Sequence, residues 1–170
     1  MAAEKADTAA FYSISNCQAG LAGISFGNSL IKTVVQHLLR ELPQIRNFVT
    51  LSPIPGLVKW LRETGNFDAD ATAETHRQLA AHYLLNAKHH NGQPRDPVAR
   101  FHLNNGALVG AVHANADKSK NGMAQSCGVM VNYRYDLPRI SENHEAFANQ
   151  QTVIAEKSVK TLAAEIEITD

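Results

Sequence analysis

The clearest alternation of apolar and polar residues predicts a helix between two short strands. From Ser29 onward, apolar residues recur at three- and four-residue spacing, which places them on one face of a helix that should end before Pro43. These residues are Leu30, Ile31, Val34, Val35, Leu38 and Leu39. The apolar run over residues 9–15 predicts a buried strand, and residues 46–52 predict a second strand. This order is a βαβ unit, so the two strands should be parallel with a right-handed crossover.

The remainder of the chain predicts a mixture of helices and strands. The expected elements are a short helix within 53–65, helices over 75–88 and 98–106, strands over 107–117 and 127–137, and a long terminal helix over 142–166. The polar segment 118–126 is expected to be a loop between the last two strands. Together these elements predict a protein of the α/β (α+β) class.

Composition and charge exclude several classes of protein. The 170 residues, 44% of them hydrophobic, fit one globular domain. Sixteen Lys and Arg balance sixteen Asp and Glu, so we expect no nucleic-acid partner. No apolar run approaches the length of a membrane span and no targeting segment is recognised, so we expect a cytoplasmic protein with no membrane partner. The two cysteines, Cys17 and Cys127, lack the spacing of a disulfide framework and should be reduced.

A glycine-rich stretch joins the first predicted strand to the helix. Such a loop can present backbone N–H groups to a phosphate at a helix N-terminus. Neither the G-x-G-x-x-G fingerprint nor a P-loop is present. Residues 22–28 resemble the pyrophosphate loop of acetyltransferase-type (GNAT) folds, in which Gln or Arg, Gly, and Gly or Ala occupy three signature places. Ala22 and Ser25 depart from the first two of these places, and Gly27 matches the third. A plain strand-to-helix turn is the alternative interpretation.

Two polar residues stand where ligands often bind. Ser52 ends the second predicted strand, and the carboxyl ends of parallel strands bind ligands in open α/β sheets. A serine that only caps the turn before Pro53 is the alternative. His102 lies between Phe101 and Leu103, in a partly apolar setting.

The other candidate groups carry less specific signals. His89 and His90 could join His102 as metal ligands, but no zinc-type spacing is present and we expect no metal. Residues 131–137 alternate, which places Tyr135 on one face with other apolar residues, and its hydroxyl could reach a ligand.

Several uncommon strings then occur in one order along the chain. They are "FYSIS", "GLAGISFGNSLIKTVV", "TLSPIPG", "DPVARFHLNNGA" and "QSCGVMVNYRYDL". Over residues 10–137 this series closely resembles the C-terminal catalytic region of the malonyl-CoA decarboxylase family.

The resemblance implies a fold and a set of site residues. The implied fold is a GNAT-like mixed sheet with flanking helices. The family's proton-accepting serine falls on Ser52, its proton-donating histidine on His102, and a tyrosine near the site on Tyr135. No metal or organic cofactor is implied. The family's CoA loop falls on Ala22, Gly23, Ile24, Ser25, Phe26, Gly27 and Asn28.

The implied activity is decarboxylation of malonyl-CoA to acetyl-CoA and carbon dioxide. Loss of the carboxylate sends electrons into the thioester carbonyl, so the substrate is its own electron sink. The protein must then stabilise charge on the carbonyl oxygen and protonate the α-carbon. Ser52 and His102 suit these tasks. A nucleophilic serine is disfavoured because no G-x-S-x-G motif surrounds Ser52.

Departures from the family leave alternatives open. Some members carry an acidic residue where Ser25 stands, and members have a helical domain and the first half of the GNAT fold before "FYSIS". We therefore expect a loose lead-in over 1–9, a partial catalytic domain over 10–170, and a homo-oligomer or association with the missing N-terminal portion. A CoA-binding relative without activity and an acyl-CoA-dependent acyltransferase are the alternatives.

Overall fold

The computed structural model describes residues 5–12 and 27–168. These residues form five strands, seven α-helices and a short 3-10 helix (Leu137–Arg139). The strands are β1 (Thr8–Phe11), β2 (Asn47–Thr50), β3 (Ser52–Pro53), β4 (Leu108–His113) and β5 (Met130–Arg134). The helices are α1 (Gly27–Glu41), α2 (Leu57–Glu63), α3 (Ala73–Asn86), α4 (Pro97–Asn104), α5 (Lys120–Ser126), α6 (Ile140–Gln150) and α7 (Lys157–Ala164).

The strands form one mixed sheet, as expected. β1 and β2 run parallel, with Ala9 beside Phe48, and α1 connects them, so the predicted parallel βαβ order is confirmed. β5 is antiparallel to three strands, with β2 and β3 following one another along one side and β4 on the other. β5 is therefore the strand around which the sheet is built.

The helices bury their apolar residues against this sheet. Val35 of α1, Leu61 of α2 and Leu84 of α3 have no exposed surface, and they belong to one continuous core with Val131 and Tyr133 of β5. Burial of each such side chain contributes about 1.5–3 kcal/mol. The core therefore fixes the position of β5, and with it the positions of Tyr133 in this strand and Tyr135 just after it.

Strand β1 is less buried than expected. Ala9 and Phe11 are half-buried whereas Thr8 and Ala10 are exposed, because the strand alternates its side chains between a covered and an open face. Phe11 stacks on Phe48 across the parallel pair. The strand itself was predicted correctly, and its last predicted residues, 13–15, lie outside the described part of the chain. The division of the chain at residue 9 stays a prediction.

The segment 118–126, expected to be a loop, contains helix α5. The Ser119 hydroxyl accepts a hydrogen bond from Gly122 N–H at 3.0 Å and so caps the helix N-terminus. Cys127, with φ of 52°, ends the helix in the left-handed conformation. The prediction of a loop was wrong because the polar composition of this segment gave no sign of the helix, which Ser119 caps.

The terminal helix expected over 142–166 is two helices. α6 ends at Gln150, and the next residue, Gln151, caps it in the left-handed conformation with φ of 53°. The following residues then run beside β4. Val109 N–H donates a hydrogen bond to the carbonyl of Ile154, and the Val109 carbonyl accepts one from Glu156 N–H, both at 2.9 Å. This pairing with a sheet edge is a long-range interaction that helical periodicity does not reveal. Within the described residues, no helix is long and apolar enough to cross a membrane.

Candidate active site

The sequence "LSPIPG" places Ser52 in the short strand β3, directly beside β5. Ser52 pairs with Val131 and Pro53 with Met130, so β3 continues the register in which Val49 of β2 pairs with Arg134. Ser52 is buried and Ile54 has no exposed surface. A Cβ on Gly56 would lie 2.3 Å from the hydroxyl of Tyr83, so this turn requires glycine. The turn that follows Ser52 is therefore closely packed against Tyr83.

The sequence "DPVARFHLNNGA" forms α4 and both of its ends. The Asp96 carboxylate accepts a hydrogen bond from Ala99 N–H at 2.8 Å, and Pro97 occupies the first turn, as helix N-termini prefer. Gly106 ends the helix with φ of 78°, and a Cβ there would lie 2.3 Å from the carbonyl of Ile140. Asn143 also donates to the carbonyl of Gly106. Both ends of the helix are therefore fixed.

His102 lies on the buried side of α4, and each of its ring nitrogens takes part in one hydrogen bond. Nε2 lies 3.2 Å from Ser52 Oγ and Nδ1 lies 2.9 Å from Tyr135 Oη. The ring stacks on Tyr133, with centroids 4.4 Å apart and planes 22° from parallel. His102 is 3% exposed. The ring therefore has one position, set by two hydrogen bonds and one stacking contact.

Thr50 extends this network, and the sequence analysis did not identify it. Its Oγ1 lies 2.9 Å from Ser52 Oγ and accepts a hydrogen bond from Tyr133 N–H at 3.2 Å. Its carbonyl accepts from the side chain of Asn132. A signal was available, because residues two apart in a strand share a face and Thr50 precedes Ser52 by two.

Burial keeps the ring of His102 neutral. It lowers the pKa of His102 to about 4, because the charged imidazolium loses its hydration. Burial also raises the pKa of Tyr135, so its hydroxyl keeps its proton at neutral pH. At pH 7 the network thus consists of neutral donors and acceptors.

Ser52 and His102 line one cleft with a volume of about 580 Å³. Phe11 and Tyr12, at the end of β1, also line it, and Asn121 and Gln125 contribute from α5. The complete described lining is Phe11, Tyr12, Leu51, Ser52, Pro53, Val98, His102, Asp117, Asn121, Gly122, Gln125, Ser126 and Met130. Within this described lining, Asp117 is the only side chain that carries a full charge at neutral pH.

The structure brings together the three residues predicted as catalytic, Ser52, His102 and Tyr135. Their catalytic roles stay a prediction. Ser52 does more than cap a turn, since its hydroxyl bonds to two side chains. His89 and His90 line a different cavity, of about 500 Å³, and so do not join His102.

The predicted CoA loop falls largely outside the described residues. Ala22, Gly23, Ile24, Ser25 and Phe26 lie there, as does Cys17. Gly27 and Asn28 form the first residues of α1, where a phosphate loop would meet its helix. Their role in CoA binding stays a prediction.

Comparison with known proteins identifies relatives along nearly the whole chain. The family model of the malonyl-CoA decarboxylase C-terminal domain matches residues 1–77 and 64–169. The mitochondrial malonyl-CoA decarboxylase of Anser anser anser is 36% identical, over 97% of this chain and 42% of the relative. That of Mus musculus is 33% identical, over 94% of this chain and 41% of the relative.

Solved structures agree with these matches. The crystal structure of malonyl-CoA decarboxylase from Rhodopseudomonas palustris is 47% identical with a TM-score of 0.84, covering 95% of this chain and 43% of that one. The structure from Agrobacterium vitis is 42% identical with a TM-score of 0.87, covering 96% and 47%. The chain thus spans about two fifths of the length of the curated relatives it matches.

Proposed function

Since the chain belongs to the malonyl-CoA decarboxylase family, we propose that it carries that family's reaction, the conversion of malonyl-CoA to acetyl-CoA and carbon dioxide. The observation that supports this most directly is the buried Ser52–His102 pair, which faces a cleft of about 580 Å³. The names of the relatives suggest the substrate, and the cleft supports the proposal because both Ser52 and His102 line it.

The reaction needs few chemical aids from the protein. The bond between the α-carbon and the carboxylate breaks, its electron pair moves into the thioester carbonyl, and carbon dioxide leaves. The enolate then takes up one proton, ultimately from solvent, at the α-carbon. Because the substrate's own carbonyl receives the electrons, we expect neither a metal nor an organic cofactor.

In this proposal Ser52 contacts the thioester, and His102 acts through Ser52. Hydrogen-bond donors held beside the carbonyl oxygen stabilise the enolate, and each such donor contributes about 10²–10³ in rate. His102 stays neutral, because burial lowers its pKa to about 4, and its ring proton is available to Ser52. Tyr135 holds the ring from its other nitrogen.

The charge of the cleft favours loss of the carboxylate. Its described lining contains no lysine or arginine and one carboxylate, that of Asp117. A carboxylate placed here exchanges its hydration for a site without a cation, which destabilises it relative to neutral carbon dioxide.

The remaining parts of the proposal concern binding and context. Residues 22–28 would hold the CoA phosphates at the start of α1. A homo-oligomer, or association with an N-terminal portion, also belongs to the proposal, since β1 pairs with β2 alone among the described strands. A cytoplasmic location also stays a prediction, and the names of the animal relatives describe those proteins as mitochondrial.

The test is the fate of malonyl-CoA labelled with ¹³C in its free carboxyl group. We expect labelled carbon dioxide and unlabelled acetyl-CoA to form in equal amounts. Binding of malonyl-CoA without release of carbon dioxide would instead favour a relative without activity. Transfer of the acyl group to an added amine would favour an acyltransferase.

A further inference from the structure

Four hydrogen bonds connect five groups in the site. They run from Tyr133 N–H to the Thr50 hydroxyl, then to the Ser52 hydroxyl, His102 and the Tyr135 hydroxyl. Each hydroxyl has one proton to donate, and a neutral imidazole has one. Because a buried donor without an acceptor is costly, a hydroxyl of this chain that has a single described acceptor is taken to donate to it.

Thr50 occupies one end of this chain of bonds. Its Oγ1 already accepts from Tyr133 N–H, and the residue has no exposed surface. Among the residues that the structure describes, Ser52 Oγ is the only acceptor for the Thr50 proton. The Thr50 hydroxyl must therefore donate to Ser52.

Tyr135 occupies the other end in the same way. The residue is 3% exposed, and its hydroxyl keeps its proton. Within residues 5–12 and 27–168, His102 Nδ1 is its only hydrogen-bond partner. The Tyr135 hydroxyl must therefore donate to Nδ1, which leaves the single ring proton of His102 on Nε2.

We propose that Thr50 and Tyr135 are positioning residues that together direct the proton of Ser52 into the cleft. Ser52 Oγ accepts one bond from Thr50 and another from His102 Nε2–H, so both of its lone pairs are occupied. Its own proton then has no acceptor among the five groups, and Ser52 faces the cleft. Ser52 is thereby a fixed donor to the ligand and a poor nucleophile.

This assignment deepens the proposed function and rests on it only for the identity of the ligand. A hydroxyl that accepts two hydrogen bonds is polarised toward donating a third. Such a donor suits the carbonyl oxygen of a thioester that becomes an enolate. The direction of the bonds in the free protein exists whether or not malonyl-CoA is the substrate.

The first test is the tautomer of His102 in the ligand-free protein. With ¹⁵N-labelled histidine, long-range ¹H–¹⁵N correlation spectra at pH 7 should give a pyrrole-type shift at Nε2 and a pyridine-type shift at Nδ1. His102→Gln identifies the signal. A proton on Nδ1 would overturn the proposal, and this result would leave the decarboxylase assignment intact.

The second test uses matched variants at each end. Tyr135→Phe removes the donor to Nδ1, so we expect part of the population to shift its proton from Nε2 to Nδ1. Thr50→Val keeps the shape of the side chain without its hydroxyl and should lower kcat by about tenfold, the usual value of one lost neutral hydrogen bond, with KM almost unchanged. Thr50→Ser should restore kcat. A Tyr135→Phe protein with an unchanged tautomer, or a Thr50→Ser protein as slow as Thr50→Val, would contradict the proposal.

Discussion

The cleft is lined by two regions that differ in how firmly their side chains are held. The first contains Ser52 and His102, both buried and both joined to further buried groups. The second is the part of the lining that α5 contributes, where Asn121 is exposed and Gln125 half-buried. Within the described part of the chain, neither of these amides has a hydrogen-bond partner.

The difference separates two tasks of a binding cleft. Groups that stabilise charge during a reaction act best when they need no rearrangement, which requires that packing and hydrogen bonds hold them beforehand. Amides with free donors and acceptors can instead adjust to a ligand as it enters. Under the proposed function, we therefore expect the first region to act in the reaction and the second in recognition of the substrate.

The largest effect is expected from removing the reacting groups of the first region. Ser52→Ala and His102→Gln should each lower the rate of carbon dioxide release by about 10²–10³-fold, because the first removes the donor at the developing charge and the second removes the ring that holds that donor. Steady-state assays with malonyl-CoA measure the effect, and circular dichroism checks the fold.

Matched controls come from residues away from the cleft. His76→Gln removes a buried histidine of α3 that bonds to the carbonyl of Asp68, and Ser158→Ala removes an exposed serine of α7. Both should retain the parent rate. If Ser52→Ala or His102→Gln released carbon dioxide as fast as these controls, the site assignment would be wrong.

An intermediate effect is expected in the pH dependence of stability. The pKa of His102 is lowered to about 4 in the fold and is about 6.5 in the unfolded chain, so the unfolded state binds the extra proton first. Stability that His102 contributes is complete above pH 6.5 and is lost as the pH falls toward 4, by about 3 kcal/mol.

The measurement is urea unfolding at several pH values between 4 and 7.5, for the parent and for His102→Gln. The difference between the two proteins isolates the histidine from all other titrating groups. Parallel curves would show that burial does not lower this pKa and that the first region is less rigidly enclosed than its packing indicates.

The smallest effect is expected in the second region. Asn121→Ala and Gln125→Ala should each raise KM for malonyl-CoA by about threefold to tenfold, with kcat little changed, since each removes a hydrogen bond made equally to substrate and transition state. A fall in kcat of the size expected for Ser52→Ala would assign these amides to the reacting region and end the distinction between the two.

Some of this site could be predicted from the sequence because its signals are local. "ARFHLNNGA" is a string whose caps and glycine determine a short helix and its end, so the position of His102 in a helix was correct. Ser52 was predicted to end the strand over 46–52, but that strand ends at Thr50 and Ser52 begins β3, because its pairing with Val131 is a long-range contact. Thr50 was missed although it shares a strand face with Ser52. Threonine in a strand is common, and its role depends on a partner 83 residues away, Tyr133.

Local periodicity, caps and turn residues are properties of neighbouring residues, so the sequence alone determined the helices α1, α3 and α4 and the parallel order of β1 and β2. Only the tertiary structure decided that residues 151–156 leave the terminal helix to pair with β4, and that the side chains at positions 50, 52, 102 and 135 meet. Those outcomes depend on contacts between segments that are distant in the sequence. Such contacts contribute free energy only once the core has brought the segments together.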